Sequence, residues 1–302
     1  MDLDLSDTEA ELQSACAVLL QRHAGAARAK AVAGGADLAL AGALEAAGFL
    51  DLFHNDDAGP VAATLVTELV AEAAGALPIG ARALVGPAVD PAHAWPQVVG
   101  IVEEGSPVRF AAQADVLLVL GADEARVLVA GEWESTPVPS KYGYPLARVR
   151  VLSGGRTLGP GSAEVARRWW RVALAAEIAG TARAALDLTN RYLKEREQFG
   201  KPIGAFQALQ HRIVECVVQV EGVRWLAREA ADLGAPADLA ASAVVAGCLA
   251  ARLVTQEVHQ LTGAMGFTLE YDLHVWSPGD SRQDARVALF VDSRTDARDV
   301  TA

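Results

Sequence analysis

From Glu164 to Arg196 the chain runs without a proline and with Gly180 as its only glycine. That predicts one unusually long helix and commits the C-terminal half to helix-on-helix packing. A second helix is expected from Ala205 to about Leu233, where Phe206, Leu209, Ile213, Val217, Val220 and Val223 recur at steps of three or four. It is bounded by Gly200-Lys201-Pro202, where Pro202 cannot continue a helix, and by Gly234-Ala235-Pro236. A third covers Leu239 to Gln260 and a fourth begins near Tyr271. Long helices joined by short turns make an antiparallel four-helix bundle, expected over residues 162–302.

The remainder has two textures. Residues 1–86 are Ala-rich and helical in period. Ser6-Asp7-Thr8-Glu9 is a capping box, after which Leu12, Cys16, Leu19 and Leu20 share a face. Further helices are expected over Leu38–Ala47 and Val61–Ala76. Residues 87–161 hold most of the prolines and short β-branched runs: Val108–Phe110, Val116–Leu120, Arg126–Ala130 and Arg148–Leu152. Val116–Leu120 is apolar throughout, so it should be buried on both faces. The expected fold is therefore α+β and mostly α: N-terminal helices, a small reduced β-domain and a helical bundle.

With 302 residues and 52% hydrophobic content, a sizeable core is available. The net charge of −12 would be repelled by nucleic acid or an anionic membrane. Cys16, Cys216 and Cys248 lie in apolar helical contexts, as reduced, buried thiols would. No Cys/His group has metal-ligand spacing. The acidic N-terminus lacks a signal peptide's basic region, and the uncharged run Leu239–Ala251 is too short to cross a bilayer. A soluble, cytoplasmic protein without membrane insertion is expected.

Two segments carry candidate chemistry. Arg191-Tyr-Leu-Lys-Glu-Arg-Glu-Gln-Phe-Gly-Lys-Pro-Ile-Gly-Ala-Phe-Gln-Ala-Leu-Gln-His211 places a cation, aromatics and amides around a tight turn. Arg196 suits a bidentate hold on phosphate, and Phe199 could pack on a flat ring. The alternative is a structural corner, with Arg196 paired to a Glu and Phe199 in the core. The second segment is His259-Gln-Leu-Thr-Gly-Ala-Met-Gly-Phe-Thr-Leu-Glu-Tyr-Asp-Leu-His274, where Gly263 and Gly266 break a helix at a small-residue loop.

In this order and separation, the two resemble the C-terminal helical domain of the acyl-CoA dehydrogenase family. The first matches its Arg-x-x-Phe-Gly motif with a following Gln, as Arg196 and Gln207; the second its Gln-x-x-Gly-Gly-x-Gly-Phe-Thr stretch, as Gln260, Gly263, Ala264, Gly266, Phe267 and Thr268. The resemblance is clear from Trp170 to Trp276. It implies FAD as cofactor, contacted across a subunit interface. Arg196 and Gln207 would hold the pyrophosphate region, and Gln260, Leu261, Thr262, Gly263 and Ala264 the adenosine end, with Gln198 and Phe199 beside them. Ala264 replaces a family glycine.

The resemblance also exposes absences. Removing the α-proton of an acyl thioester needs a carboxylate. The family's two positions for it are occupied by Trp170 and Val287, leaving only Asp284 or Asp292 as substitutes in the tail. Its flavin-holding Thr-Glu-Pro-x-x-Gly-Ser-Asp loop does not occur between Pro87 and Gly161, and Pro278 interrupts a helix the family usually continues. Arg171 stands where some relatives touch substrate; a helix-surface salt bridge is the alternative. The pattern is similar to the non-base-bearing subunits of α2β2 heterotetramers in bacterial steroid catabolism. It implies a homologous partner subunit, an acyl-CoA substrate and an external electron acceptor. A silent scaffold without FAD contact, or a homo-oligomeric enzyme with a relocated base, are the competing readings. His54-Asn-Asp-Asp57 reads as a turn, Trp169-Trp170 as core or interface, and His211 and His274 as makers of structural hydrogen bonds.

Overall fold

The structure is a computed structural model that describes residues 5–32, 34–103, 105–139 and 145–277. The N-terminal helices are α1 (Asp7–His23), α2 (Ala26–Ala31), α3 (Leu38–Ala46) and α4 (Gly59–Glu72). The capping box forms: the Glu9 amide donates to Ser6 Oγ and the Ser6 amide to Glu9 Oε2. A π-helical turn, Ala81–Val85, leads into the short α5 (Gly86–Val89).

Two small sheets follow. The first orders β1 (Val99–Val102), β3 (Val116–Leu120), β4 (Ala125–Val129) and β7 (Arg156–Thr157), with β1 parallel to β3. The second orders β2 (Val108–Arg109), β6 (Leu146–Val151) and β5 (Trp133–Val138). The period of two divides β3 between two cores. Val116, Leu118 and Leu120 pack toward the helices, whereas Leu117 joins Val108, Leu128 and Ala147 between the sheets. Burial on both faces is what the unbroken apolar run required. β1, β5 and β7 had no clear sequence signal: β5 alternates half-buried and exposed residues and contains Pro137, and β7 has two residues.

The long helix α6 spans Ser162–Glu195, 34 residues or about 51 Å. Its start is fixed by Gly161 at φ 78, whose amide donates to Asp123 Oδ1. After the hairpin β8 (Glu197–Gln198) and β9 (Lys201–Pro202) come α7 (Gln207–Asp232) and α8 (Ala237–Thr262). α8 packs on both α6 and α7. It is longer than the uncharged run within it, and by length and composition the segment Ala237–Phe267 could cross a membrane, a test that a core helix packed between others also meets.

The fourth helix expected from Tyr271 is not present over the described residues: Asp272–Val275 forms one 3-10 turn. Pro278 disfavours helical backbone at the residue before it, and the Trp276 indole donates to the carbonyl of Glu72. α4 instead packs on α6 and α7. The α4–α6 approach is so close that a Cβ on Gly180 would lie 2.1 Å from the carbonyl oxygen of Glu68. Glu68 in turn accepts from Arg224 and Arg228 on α7. Burial pushes the Cys16 thiol up to about 12 and the Cys216 thiol up to about 11, so both stay protonated.

Candidate functional site

α6 ends because Arg196 turns extended. The β8–β9 hairpin closes through Phe199 and Gly200, both at positive φ (56° and 79°), the pattern of a two-residue hairpin turn. A left-handed conformation costs a non-glycine residue roughly 1–2 kcal/mol. Here it holds Phe199 91% exposed, so this ring is not core. Arg196 is likewise exposed and forms no ion pair among the described residues, while its carbonyl accepts from Ile203. α7 then starts at Gln207 without a side-chain cap. Its first-turn N–H groups form a positive dipole end beside the hairpin.

The second segment continues α8. Gly263 sits at φ 57, ψ −139 and opens the 3-10 turn Gly263–Phe267. Ala264 lies outside the positive-φ residues, so its methyl causes no backbone strain. Gln260, Gly263 and Ala264 are exposed; Leu261 and Thr262 bury their side chains and leave only backbone to a ligand. Arg212, near the start of α7, pairs with Glu257, near the end of α8. The Tyr271 hydroxyl donates to Leu188 on the last turns of α6. Both motifs are thereby gathered at one end of the bundle.

His259 opens the second segment, but the sequence assigns it no role, since nothing local marks it. It is buried, its ring lies 4.7 Å from that of Phe267, and its Nε2 is 3.0 Å from the Ser277 carbonyl. A carbonyl only accepts, so the bond to it requires the proton on Nε2, which also lies 3.1 Å from Ser277 Oγ; Nδ1 has no partner among the described residues. Gly266 closes over this ring: a Cβ there would lie 2.1 Å from Thr262 Oγ1. Burial holds the His259 pKa below its ordinary 6.5, with the Ser277 bond opposing. Unfolded, the imidazole gains a proton near pH 6.5; folded, it resists to a lower pH. Its contribution to stability is complete above that pH and is lost as pH falls through the depressed value. Urea midpoints at about pH 7.5 and 5.5 should therefore differ more in the wild type than in His259→Gln. Equal differences would refute this.

Trp170 is buried, 9% exposed, and with Arg109, Val99 and Pro78 lines a cleft of about 20 Å³, room for one water. One heptad further along α6, Glu177 is the carboxylate that sequence reasoning overlooked. It accepts from Arg109 at 2.8 and 3.4 Å and from the Gly80 amide at 3.3 Å. Its oxygens are thus held by a cation and a backbone donor. Arg171 lies 3.7 Å from Glu164. The Val287, Asp284 and Asp292 positions lie outside the described residues. Trp169 is core, its ring edge-on to Phe53 at 4.7 Å. His54 Nε2 meets the Pro87 carbonyl, and the Asp57 amide donates to Asn55, a turn as read. His274 bonds the Tyr271 carbonyl, whereas His211 is exposed on α7.

Residues 161–279 match the family model "Acyl-CoA dehydrogenase, C-terminal domain". Acyl-CoA dehydrogenase FadE34 of Mycobacterium tuberculosis is 33% identical over 237 residues, 72% of this chain and 32% of the relative. The chain belongs to the acyl-CoA dehydrogenase family. Among solved structures, the ChsE4–ChsE5 complex from Mycobacterium tuberculosis superposes with a TM-score of 0.82 at 18% identity, covering 99% of each chain. The Tcur3481–Tcur3483 steroid ACAD variant gives 0.81 at 21%, covering 97% of this chain and 96% of that one. These likenesses confirm the fold across both the helical and β portions. The matched stretch of this family member spans about a third of the length of the first curated relatives.

Proposed function

We propose that this chain is the non-base-bearing subunit of a heteromeric, FAD-dependent acyl-CoA dehydrogenase. The observation that carries the reading is a division within one helix. α6 places buried Trp170 where the family can carry its base, yet ends on Arg196, an exposed cation with no ion pair among the described residues.

The donor set fits a dinucleotide. Arg196 and the uncapped start of α7 at Gln207 suit a pyrophosphate. The backbone of Gln260 to Ala264, opened by Gly263, suits the adenosine end, with Gln198 and Phe199 alongside. FAD, when bound, supplies the acceptor for the β-hydrogen. This chain's residues orient the cofactor from one side, and a homologous partner subunit supplies the carboxylate, the flavin loop and the acyl pocket. The likeness to the ChsE4–ChsE5 complex and to the Tcur3481–Tcur3483 steroid ACAD supports an unlike, homologous partner and a steroid-linked substrate; an α2β2 arrangement acting on a steroid side-chain thioester is the form of that reading proposed for this chain. An external electron acceptor would reoxidise the flavin. Protonated, buried thiols suit a reducing cytoplasm.

Expressed alone, the chain should carry no stoichiometric flavin and should not oxidise acyl-CoA with an artificial acceptor. Co-expressed with a homologous, Glu-bearing subunit, it should yield a yellow, active complex. Flavin and turnover in the lone chain would mean a relocated base. An active complex whose flavin content ignores Arg196 and Gln260 would mean a scaffold.

A further inference from the structure

The Gly263–Phe267 turn buries little of itself. Gly263, Ala264, Met265 and Phe267 are exposed, and the one buried member, Gly266, has no side chain to anchor. Such a turn is set by what it rests on, and three buried groups lie beneath it. A Cβ on Gly266 would crowd Thr262 Oγ1, and would stand 3.2 Å from Leu273 Cδ2 and 3.3 Å from His259 Nδ1. The imidazole thus turns its Nδ1 edge to Gly266, and its face lies tilted by 36° against the Phe267 ring. The opposite edge is fixed, because Nε2 lies 3.0 Å from the Ser277 carbonyl and 3.1 Å from Ser277 Oγ. Ser277 is tied down in turn. Its amide donates to the Leu273 carbonyl, and the preceding Trp276 indole donates to the Glu72 carbonyl on α4.

We infer that His259 is a positioning residue for the cofactor: braced against Ser277, its ring seats the Gly263–Phe267 turn and so aims the backbone of Gln260–Ala264. The inference rests on the reading of that segment as the one that holds the adenosine end of FAD. His259 itself is 6% exposed and lies beneath the surface a ligand would touch. It acts on the groups to either side. Gln260 is its exposed neighbour on α8, and its own carbonyl accepts from the Gly263 amide at the end of that helix. Site groups must be held to within about 0.5 Å of their productive geometry. A turn whose one buried residue is glycine has no packing of its own to resist a larger shift. The chemistry also selects imidazole. A leucine would fill the volume, but it would leave the Ser277 carbonyl without this donor and offer Phe267 no flat face. With its proton on Nε2, the ring presents a bare nitrogen to Gly266, so the glycine can approach closely. A bystander histidine would need the Ser277 bond, but not the fit against Gly266 and Phe267.

Amide hydrogen exchange in the lone full-length chain reads the turn, and FAD retention by the co-expressed complex reads the site. His259→Leu should speed exchange of the amides of residues 263–268 at least about tenfold, with α7 unchanged. In the complex it should raise the FAD Kd about tenfold. His259→Gln, whose side-chain amide can donate to the Ser277 carbonyl, should return both to within about threefold of wild type. If His259→Leu does not fold, Gly266→Ala, which lifts the turn from the same ring, should give the same paired changes. Exchange that ignores His259→Leu, exchange that quickens equally across α7, or a glutamine variant no better than leucine overturns the inference. So does FAD retention that falls with Arg196→Ala yet ignores His259→Leu. Retention indifferent to both substitutions overturns the cofactor reading, and the inference with it.

Discussion

Replacing Arg196 with alanine should strip FAD from the assembled enzyme while leaving the chain folded. The side chain is exposed and forms no ion pair among the described residues, so its loss breaks no packing and should change stability by no more than about 0.5 kcal/mol. In a cofactor site the same guanidinium would donate two charge-assisted hydrogen bonds to a phosphate, each worth roughly 1.5–3 kcal/mol. Allowing for solvent replacing part of that, a loss of about 2–4 kcal/mol, or roughly 30- to 1000-fold in Kd, is expected. Arg196→Lys should recover only part of it, because an ammonium keeps the charge and loses the fork. Flavin fluorescence released on dilution of the complex measures all three proteins. Unchanged flavin retention in the alanine variant would remove Arg196 from the site.

Glu68→Ala should be the most destabilising single substitution in the helical core. Glu68 is 1% exposed and holds two arginines of α7 at once, Arg224 through Oε1 and Arg228 through Oε2. Arg228 is itself buried, with an Nε that already lacks a partner among the described residues. Removing the carboxylate leaves the buried Arg228 guanidinium without the carboxylate it is paired with, a loss of about 3–5 kcal/mol in comparable buried pairs. A neighbour limits the damage. Burial, and then the Glu68 charge, hold the Glu72 carboxyl above its ordinary pKa; without Glu68, Glu72 ionises more readily and screens part of the orphaned charge. The urea midpoint should fall with an unchanged slope, and Glu68→Gln should fall between. A midpoint within experimental error of wild type would mean that α4 is held to α7 by apolar contacts alone.

What could be read from the sequence was local. The limits of α6 follow from Gly161 and from the Gly200–Pro202 turn, and the apolar run of β3 announced burial on both faces. The motif around Arg196 and Gln260 was legible because each half lies within a few turns of helix. Partnerships across distance were not. Nothing near Glu68 reveals that Arg224 and Arg228 will face it, and nothing near Glu177 names Arg109 or the Gly80 amide. The missing fourth helix is the same lesson: Tyr271 to Val275 has helical spacing, yet its tyrosine hydroxyl and the nearby Trp276 indole are drawn to carbonyls on α6 and α4. Pairing of β1 beside β3 depends on a parallel register that short apolar runs do not encode.

The turn at Phe199 has a kinetic consequence. Its unfavourable backbone is enforced by a two-rung hairpin and by the Arg196–Ile203 bond, all within the free chain. The ring is therefore presented before any encounter, so association need not wait for a loop to order itself. Little conformational entropy is left to lose on contact. Assembly should then proceed at the speed of rigid-body collision, and the lifetime of the complex, rather than the rate of its formation, becomes the quantity on which substitutions at this tip act.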